Sequence, residues 1–215
     1  MFRAEEYQSY VRFFESPHEE SFMLEEGTGP VIISAPHSVE QLRLGRPKYA
    51  EPQSGACARM LHSELGCPVI YKTRNCGDDA NFDADSDYKR ALADYIRGHD
   101  IRFVLDLHQL AWERDVIVNI GTAGLRNIRD QKPMNIALAA FSSRRVGLIQ
   151  IDTPYDGSGP NTIASFTARE CGVESLQIEL NSDAVRFGFE RSAVGDICEA
   201  LGEIVRALTA LRGQQ

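Results

Sequence analysis

The sequence predicts an α/β protein: a mainly parallel, mixed sheet with helices on both faces, forming a three-layer α/β/α sandwich. Three observations carry this reading. Short apolar runs such as VIIS at 31–34 and FVLDL at 103–107 have the composition of strands covered on both sides. Stretches of about a dozen residues with helical spacing alternate with them. Clusters of Gly, Asn, Asp and Pro stand between the two kinds of segment.

Taken in order, 5–14 is loosely amphipathic and fits a helix, 22–24 fits a short strand, and EGTG at 26–29 fits a turn. The run 31–34 is the first buried strand. Helical spacing over 53–65 places Ala56, Met60, Leu61 and Leu65 on one side, and Gly66 ends it. A strand at 68–71 is followed by a loop from 74 to 87, rich in Asn, Asp and Gly. Residues 86–97 form a helical pattern with Tyr88, Leu92, Tyr95 and Ile96 on one face. Strands follow at 102–107 and 116–120. A helix over 133–144 opens on Pro133, and 148–151 is a further strand. GSGP at 157–160 breaks the chain, and the polar stretch leading to Arg169 reads as a loop. A strand at 175–180 and a long amphipathic helix at 192–211 close the sequence.

The bulk properties narrow the function. The chain has 215 residues, 43% hydrophobic and 25% charged, enough for one core with no linker-like stretch to divide it, so one domain over 1–215 is expected. A formal net charge of -8 argues against a nucleic-acid partner. The five cysteines, Cys57, Cys67, Cys76, Cys171 and Cys198, are odd in number and form no CxxC, which predicts free thiols and a cytoplasmic location. The N-terminal stretch has no apolar secretory core, and no run approaches the ~18 apolar residues of a membrane span.

Ligand sites in such folds lie beyond the carboxyl ends of strands, and three strands end in polar residues. VIIS leads to Ala35-Pro36-His37, FVLDL leads to His108, and LQIEL carries Glu179 within an apolar run. Two imidazoles and a carboxylate are the common donor set of zinc hydrolases, which keep a position for water. Asp106, two residues before His108, projects to the same face and can orient its ring. Glu40 gives the spacing H-x-x-E after His37, and Glu51 precedes the helix at 53–65; either can supply the carboxylate. Glu179 is costly in a buried strand unless paired or catalytic, and suits a general base. The alternation of Ser175, Gln177 and Glu179 is also the pattern of a solvent-facing side. Arg169, Arg74 and Arg43 are candidate cations for a substrate carboxylate, and YDGSGPN at 155–161 has the composition of a mobile lid. A nucleophilic Cys171 beside Arg169 is a further option, with no histidine following it in sequence.

PVIISAPHSV, the loop DDANFD, the strand end LDLHQ and the late LQIEL together resemble the N-formylglutamate amidohydrolases. The resemblance spans most of the chain from Pro30 onward and rests on the order of short motifs. It implies a phosphorylase/hydrolase-like fold related to zinc carboxypeptidases and aspartoacylase. It also implies one zinc-hydrolase-like domain, a single Zn2+ ion, and hydrolysis of an N-acyl amide next to a carboxylate. By this comparison His37 and His108 match the two histidines, Glu179 the late glutamate acting as base, and Asn81 the asparagine of the D-x-N-R stretch. Glu51 is then the carboxylate ligand, whereas comparison with carboxypeptidases favours Glu40. The arginine of D-x-N-R is missing, with Phe82 and Asp83 following Asn81, so the chain resembles a divergent branch. Arg169, Asn81 and Arg74 are the expected substrate-binding residues, and the substrate is a small acyl amino acid or a short peptide-like amide. Two other readings stand beside it: a carboxypeptidase-like peptidase or amidase, and a non-catalytic metal-binding relative.

Overall fold

A computed structural model of the protein describes residues 2–211, so the ends of the unit expected over 1–215 lie outside the described residues. The chain opens with helix α1 (Ala4–Phe14), strand β1 (Phe22–Glu25) and strand β2 (Val31–Ala35). A small hairpin, β3 (Gln41–Arg43) and β4 (Arg46–Lys48), precedes α2 (Pro52–Leu65), β5 (Val69–Lys72) and α3 (Asp87–Gly98). Then come β6 (Phe103–Leu110), β7 (Val118–Gly121), α4 (Lys132–Ser143) and β8 (Ile149–Ile151). Helix α5 (Ile163–Cys171), β9 (Glu174–Asn181) and α6 (Val194–Ala210) complete the described residues.

The main sheet has the order β1-β5-β2-β6-β9-β7-β8. The four central strands β5, β2, β6 and β9 run parallel, β1 pairs antiparallel with β5 and β7 antiparallel with β9, and β8 is parallel to β7. Side-chain parity assigns the two faces. Val31, Ile33, Leu105, Leu107, Leu176 and Ile178 join a core with α1, α2, α4 and α6. Ile32, Ile70 and Val104 join a second core with Tyr88, Leu92 and Ile96 of α3 and Ile163 of α5. The result is the mainly parallel three-layer sandwich that the alternation of segments predicts. On the α3/α5 face the odd positions of β9, Ser175, Gln177 and Glu179, are buried rather than turned to water. The solvent-facing alternative for that strand is thus overturned.

Local signals fix the ends of the helices that shape the site. Pro52 stands in the first turn of α2, and Gly66 closes it at φ 65°, a left-handed angle that costs glycine little. Ser86 caps α3 by accepting from Lys89 N. The stretch read as a polar loop before Arg169 is instead α5, capped by Thr162 and stopped by Gly172 at φ 68°. Its hydroxyls fit a helix because Thr167 Oγ1 bonds back to the Ile163 carbonyl and across to Ser175 Oγ, leaving neither unsatisfied. No described helix is long and apolar enough to cross a membrane.

Candidate metal centre

The carboxyl ends of β2, β6 and β9 meet at one edge of the sheet, and the polar residues beyond them form a cavity of about 500 Å³. His37 follows the end of β2, His108 lies near the carboxyl end of strand β6, and both are only 2% exposed. Glu51 precedes α2, and its N–H donates to the His37 carbonyl at 2.8 Å, which brings the start of the helix back to the strand end. Its carboxylate reaches between the two imidazoles. His37 Nδ1 lies 3.3 Å from Glu51 Oε1, His108 Nδ1 lies 3.3 Å from Glu51 Oε2, and the two Nδ1 atoms are 3.2 Å apart.

Both rings are held from behind. His37 Nε2 donates to Asp79 Oδ1 at 2.9 Å, and His108 Nε2 donates to Asp106 Oδ2 at 3.0 Å. A carboxylate only accepts, so each bond places the ring proton on Nε2 and turns the Nδ1 lone pair toward Glu51. The chain of contacts continues outward. Ser34 Oγ donates to Asp106 Oδ1, and Arg43 Nε donates to Asp79 Oδ2 at 2.7 Å. Glu51 Oε2 also accepts from Gln109 N, and Oε1 is paired with Lys48 Nζ of the hairpin.

The charges reinforce one another. Burial alone would raise the Glu51 carboxyl, but the imidazoles of His37 and His108 hold it well below the usual carboxylate range. Burial alone would lower His108, but Asp106, Glu51 and Glu179 hold it well above the usual imidazole value. Asp79 is likewise lowered, with His37 and Arg43 outweighing burial. Glu179 moves the other way. Burial first, and then the Glu51 charge, push it up to about 7 against the pull of His108, His37 and Lys48.

The donor set fits a divalent ion. A tetrahedral ion with bonds of roughly 2.0–2.1 Å to nitrogen and oxygen has ligand–ligand edges of roughly 3.3 Å. The two Nδ1 atoms, 3.2 Å apart, match that edge, and each lies 3.3 Å from one oxygen of Glu51, Oε1 for His37 and Oε2 for His108. These residues form a buried three-residue candidate metal site, His37–Glu51–His108.

The other expected site residues fall in different places. Glu179 lines the cavity beside the triad, and Asn81 lines it as well, although its Oδ1 is engaged by Ile163 N at the start of α5. Glu40, the alternative carboxylate, is exposed and faces Asn75 instead. Arg169 is exposed, bonded to Glu170 and to the Pro160 carbonyl, and Arg74 is exposed as well; neither lines the cavity. The cations that do line it are Arg43 and Lys48, both from the β3–β4 hairpin. Arg43 is steadied by Asp79 and by the Phe82 ring, 5.0 Å from its guanidinium carbon. The 155–161 stretch forms one wall. It is pinned by Asn119 to both the N–H and the carbonyl of Tyr155, and by Asn127, Thr162 and Ser165 to the Gly157 carbonyl. These bonds tie the wall to β7, to Asn127 and to the start of α5.

Lys48 and Asp79 escaped the sequence reading, although Asp79 stood in a loop it quoted. Lys48 lies three residues before Glu51, and Asp79 lies in DDANFD. The hairpin that aims Lys48 is a tertiary feature, too short to show a periodic pattern.

No protein-family profile matches the sequence, and no curated protein matches it. Solved structures do. A bacteriophage poly-gamma-glutamate hydrolase is similar at TM-score 0.61 and 12% identity, over 92% of this chain and 94% of that one. The N-formylglutamate amidohydrolase of Ralstonia eutropha JMP134 is similar at TM-score 0.56 and 13% identity, over 90% of this chain and 99% of that one. A metallo-carboxypeptidase from Burkholderia cenocepacia is similar at TM-score 0.53 and 14% identity, over 99% of this chain and 69% of that one. At these identities the likeness is one of fold. The chain has the fold of amidohydrolase-like and carboxypeptidase-like hydrolases, and it carries a three-residue candidate metal site at the sheet edge.

Proposed function

We propose that the protein is a zinc-dependent amidohydrolase that cleaves the amide bond of a small N-acyl, N-formyl-type amino acid or a similar peptide-like amide. The convergence of His37, Glu51 and His108 beside a buried Glu179 carries this reading. The names of two fold neighbours, hydrolases of poly-gamma-glutamate and of N-formylglutamate, support the amide as the bond attacked. The five free thiols support a cytoplasmic setting.

His37, Glu51 and His108 are the residues that would hold the ion, and their two imidazoles and one carboxylate are a donor set that zinc accepts. A zinc ion there supplies Lewis acidity, ionising water near neutral pH and polarising the scissile carbonyl. Asp79 and Asp106 keep both rings in the tautomer that presents Nδ1. Glu179, pushed up to about 7, takes a proton from the attacking water and returns it to the departing amine nitrogen. Arg43 and Lys48 give the cavity the positive charge that a substrate carboxylate needs, in place of Arg169 and Arg74. Asn81 acts by holding the start of α5 as a wall of the cavity. The H-x-x-E spacing that favoured a peptidase loses its force because Glu40 is exposed.

The test is turnover of an acyl-amino-acid panel by zinc-loaded wild type and Glu179→Gln. The variant is expected to keep its zinc and to lose about 10²–10⁴-fold in kcat, the usual range for a general base. Wild-type rates no higher than those of the variant across the panel would overturn the reading and leave a non-catalytic metal-binding protein.

A further inference from the structure

Gln177 lies two residues before Glu179 on the same face of β9, lines the cavity, and is only 4% exposed. Its Nε2 donates to Glu179 Oε1 at 2.9 Å. In this bond the amide nitrogen faces Glu179 and the amide oxygen faces away from it. That oxygen, Gln177 Oε1, meets no hydrogen-bond donor from the described residues.

A buried acceptor without a donor is costly, and native proteins keep few of them. The neighbouring polar residue on the same face, Ser175, is fully engaged with Thr167 Oγ1, so the strand itself does not require an open acceptor. The pinned 155–161 wall makes room for it. Gly157, at φ 73°, stands so close that a Cβ there would meet Gln177 Cβ at 3.3 Å and Oε1 at 3.5 Å. Gly157 and Gln177 both line the cavity, so this open acceptor stands at its wall.

We propose that Gln177 reads the leaving atom of the substrate: Oε1 accepts the N–H of the scissile amide while Nε2 holds Glu179 beside the same nitrogen. This inference rests on the amidohydrolase reading and names the substrate class more closely. The preferred substrates are secondary amides, which carry one N–H at the scissile nitrogen. Esters, with oxygen there, and amides of N-alkylated or proline-type amines lack that donor. Gln177 is a positioning and specificity residue, and the proton transfers stay with Glu179.

The experiment uses matched pairs: each acyl amino acid of the panel and the ester in which oxygen replaces the scissile N–H. Zinc-loaded wild type, Gln177→Met and Gln177→Glu are compared on the pair with the highest kcat/KM. Gln177→Met removes both hydrogen bonds at similar volume, and the amide-to-ester ratio of kcat/KM is expected to fall at least about tenfold. Gln177→Glu keeps an acceptor oxygen, and its ratio is expected to stay near that of wild type even as both rates fall. Equal losses on amide and ester in Gln177→Met, or no loss, would overturn the inference and leave Gln177 a support for Glu179 alone. Should Gln177→Met fail to fold by circular dichroism, collapse of the ratio in Gln177→Glu overturns it just as well. Wild type inactive on both members of every pair marks the failure of the hydrolase reading itself, and the inference falls with it.

Discussion

His108 and Glu179 stand in register in the parallel β6–β9 pair, so both side chains leave the same face of the sheet. The same is true of Asp106 and Gln177, one step back along the two strands. Two ladder rungs thus deliver an imidazole, the carboxylate behind it, the buried Glu179 and its amide partner to one place. The arrangement is rigid because the backbone ladder sets it, and loops contribute only His37, Asp79 and Glu51.

Zinc is expected to stabilise the folded protein through this site. An ion that binds only the native state at about 100 times its Kd adds about 2.7 kcal/mol. Thermal unfolding of chelator-treated protein should therefore shift upward on adding zinc, and His108→Ala should abolish the shift. A shift of equal size in His108→Ala would place the ion elsewhere.

Asp106→Asn keeps the shape of the side chain but loses the charge that holds His108 in its Nδ1-presenting tautomer. Loss of such a partner behind a ligating histidine typically weakens metal affinity 10–100-fold. Competition with a chromophoric chelator measures it. Unchanged affinity would mean that Asp106 serves only Ser34 and the sheet.

Lys89 gives a pH test away from the triad. Its ammonium is almost fully buried and donates to the carbonyls of Asp83 and Asn161, and burial lowers its pKa from 10.5 to about 8. Between about 8 and 10.5 the unfolded chain keeps this proton and the native protein releases it. The unfolded state then binds more protons, so this residue's contribution to stability rises with pH across that window. Lys89→Met removes the term. The stability of wild type relative to Lys89→Met should climb between pH 8 and pH 10 in parallel denaturant titrations. A difference independent of pH would show that Lys89 titrates normally.

Gly55 tests the packing beneath the site. A Cβ there would lie 2.5 Å from the Phe14 ring and 2.6 Å from Ser38 Cβ, next to His37. Gly55→Ala should destabilise by about 1–3 kcal/mol through overpacking, outweighing the higher helix propensity of alanine. Denaturant midpoints equal to or above wild type would contradict the contact.

The sandwich was readable because its strands carry unbroken apolar runs and its helices carry period and caps. His37, His108 and Glu179 stood out for a related reason: they interrupt or terminate those runs, where a polar residue is conspicuous. Helix α5 escaped because the hydroxyls of Thr162, Ser165 and Thr167 imitate a loop, and only tertiary bonds to Gly157 and Ser175 show them satisfied. The cations of the cavity were hard to place for a similar reason. Arg169 sat in a suggestive sequence but faces outward, while Lys48 is aimed inward by a hairpin of two three-residue strands. The depression of Asp79 and the elevation of Glu179 depend on neighbours distant in sequence, which no local pattern records.

The bond from Glu51 N to the His37 carbonyl ties off everything between those two residues as a closed excursion. The base of that excursion is moored as well, by Ser38 Oγ to the Ala35 and Lys72 carbonyls and by Leu42 N to the Asp78 carbonyl, so its exposed tip at 44–47 is the part that can be rewritten without disturbing the candidate metal site beneath.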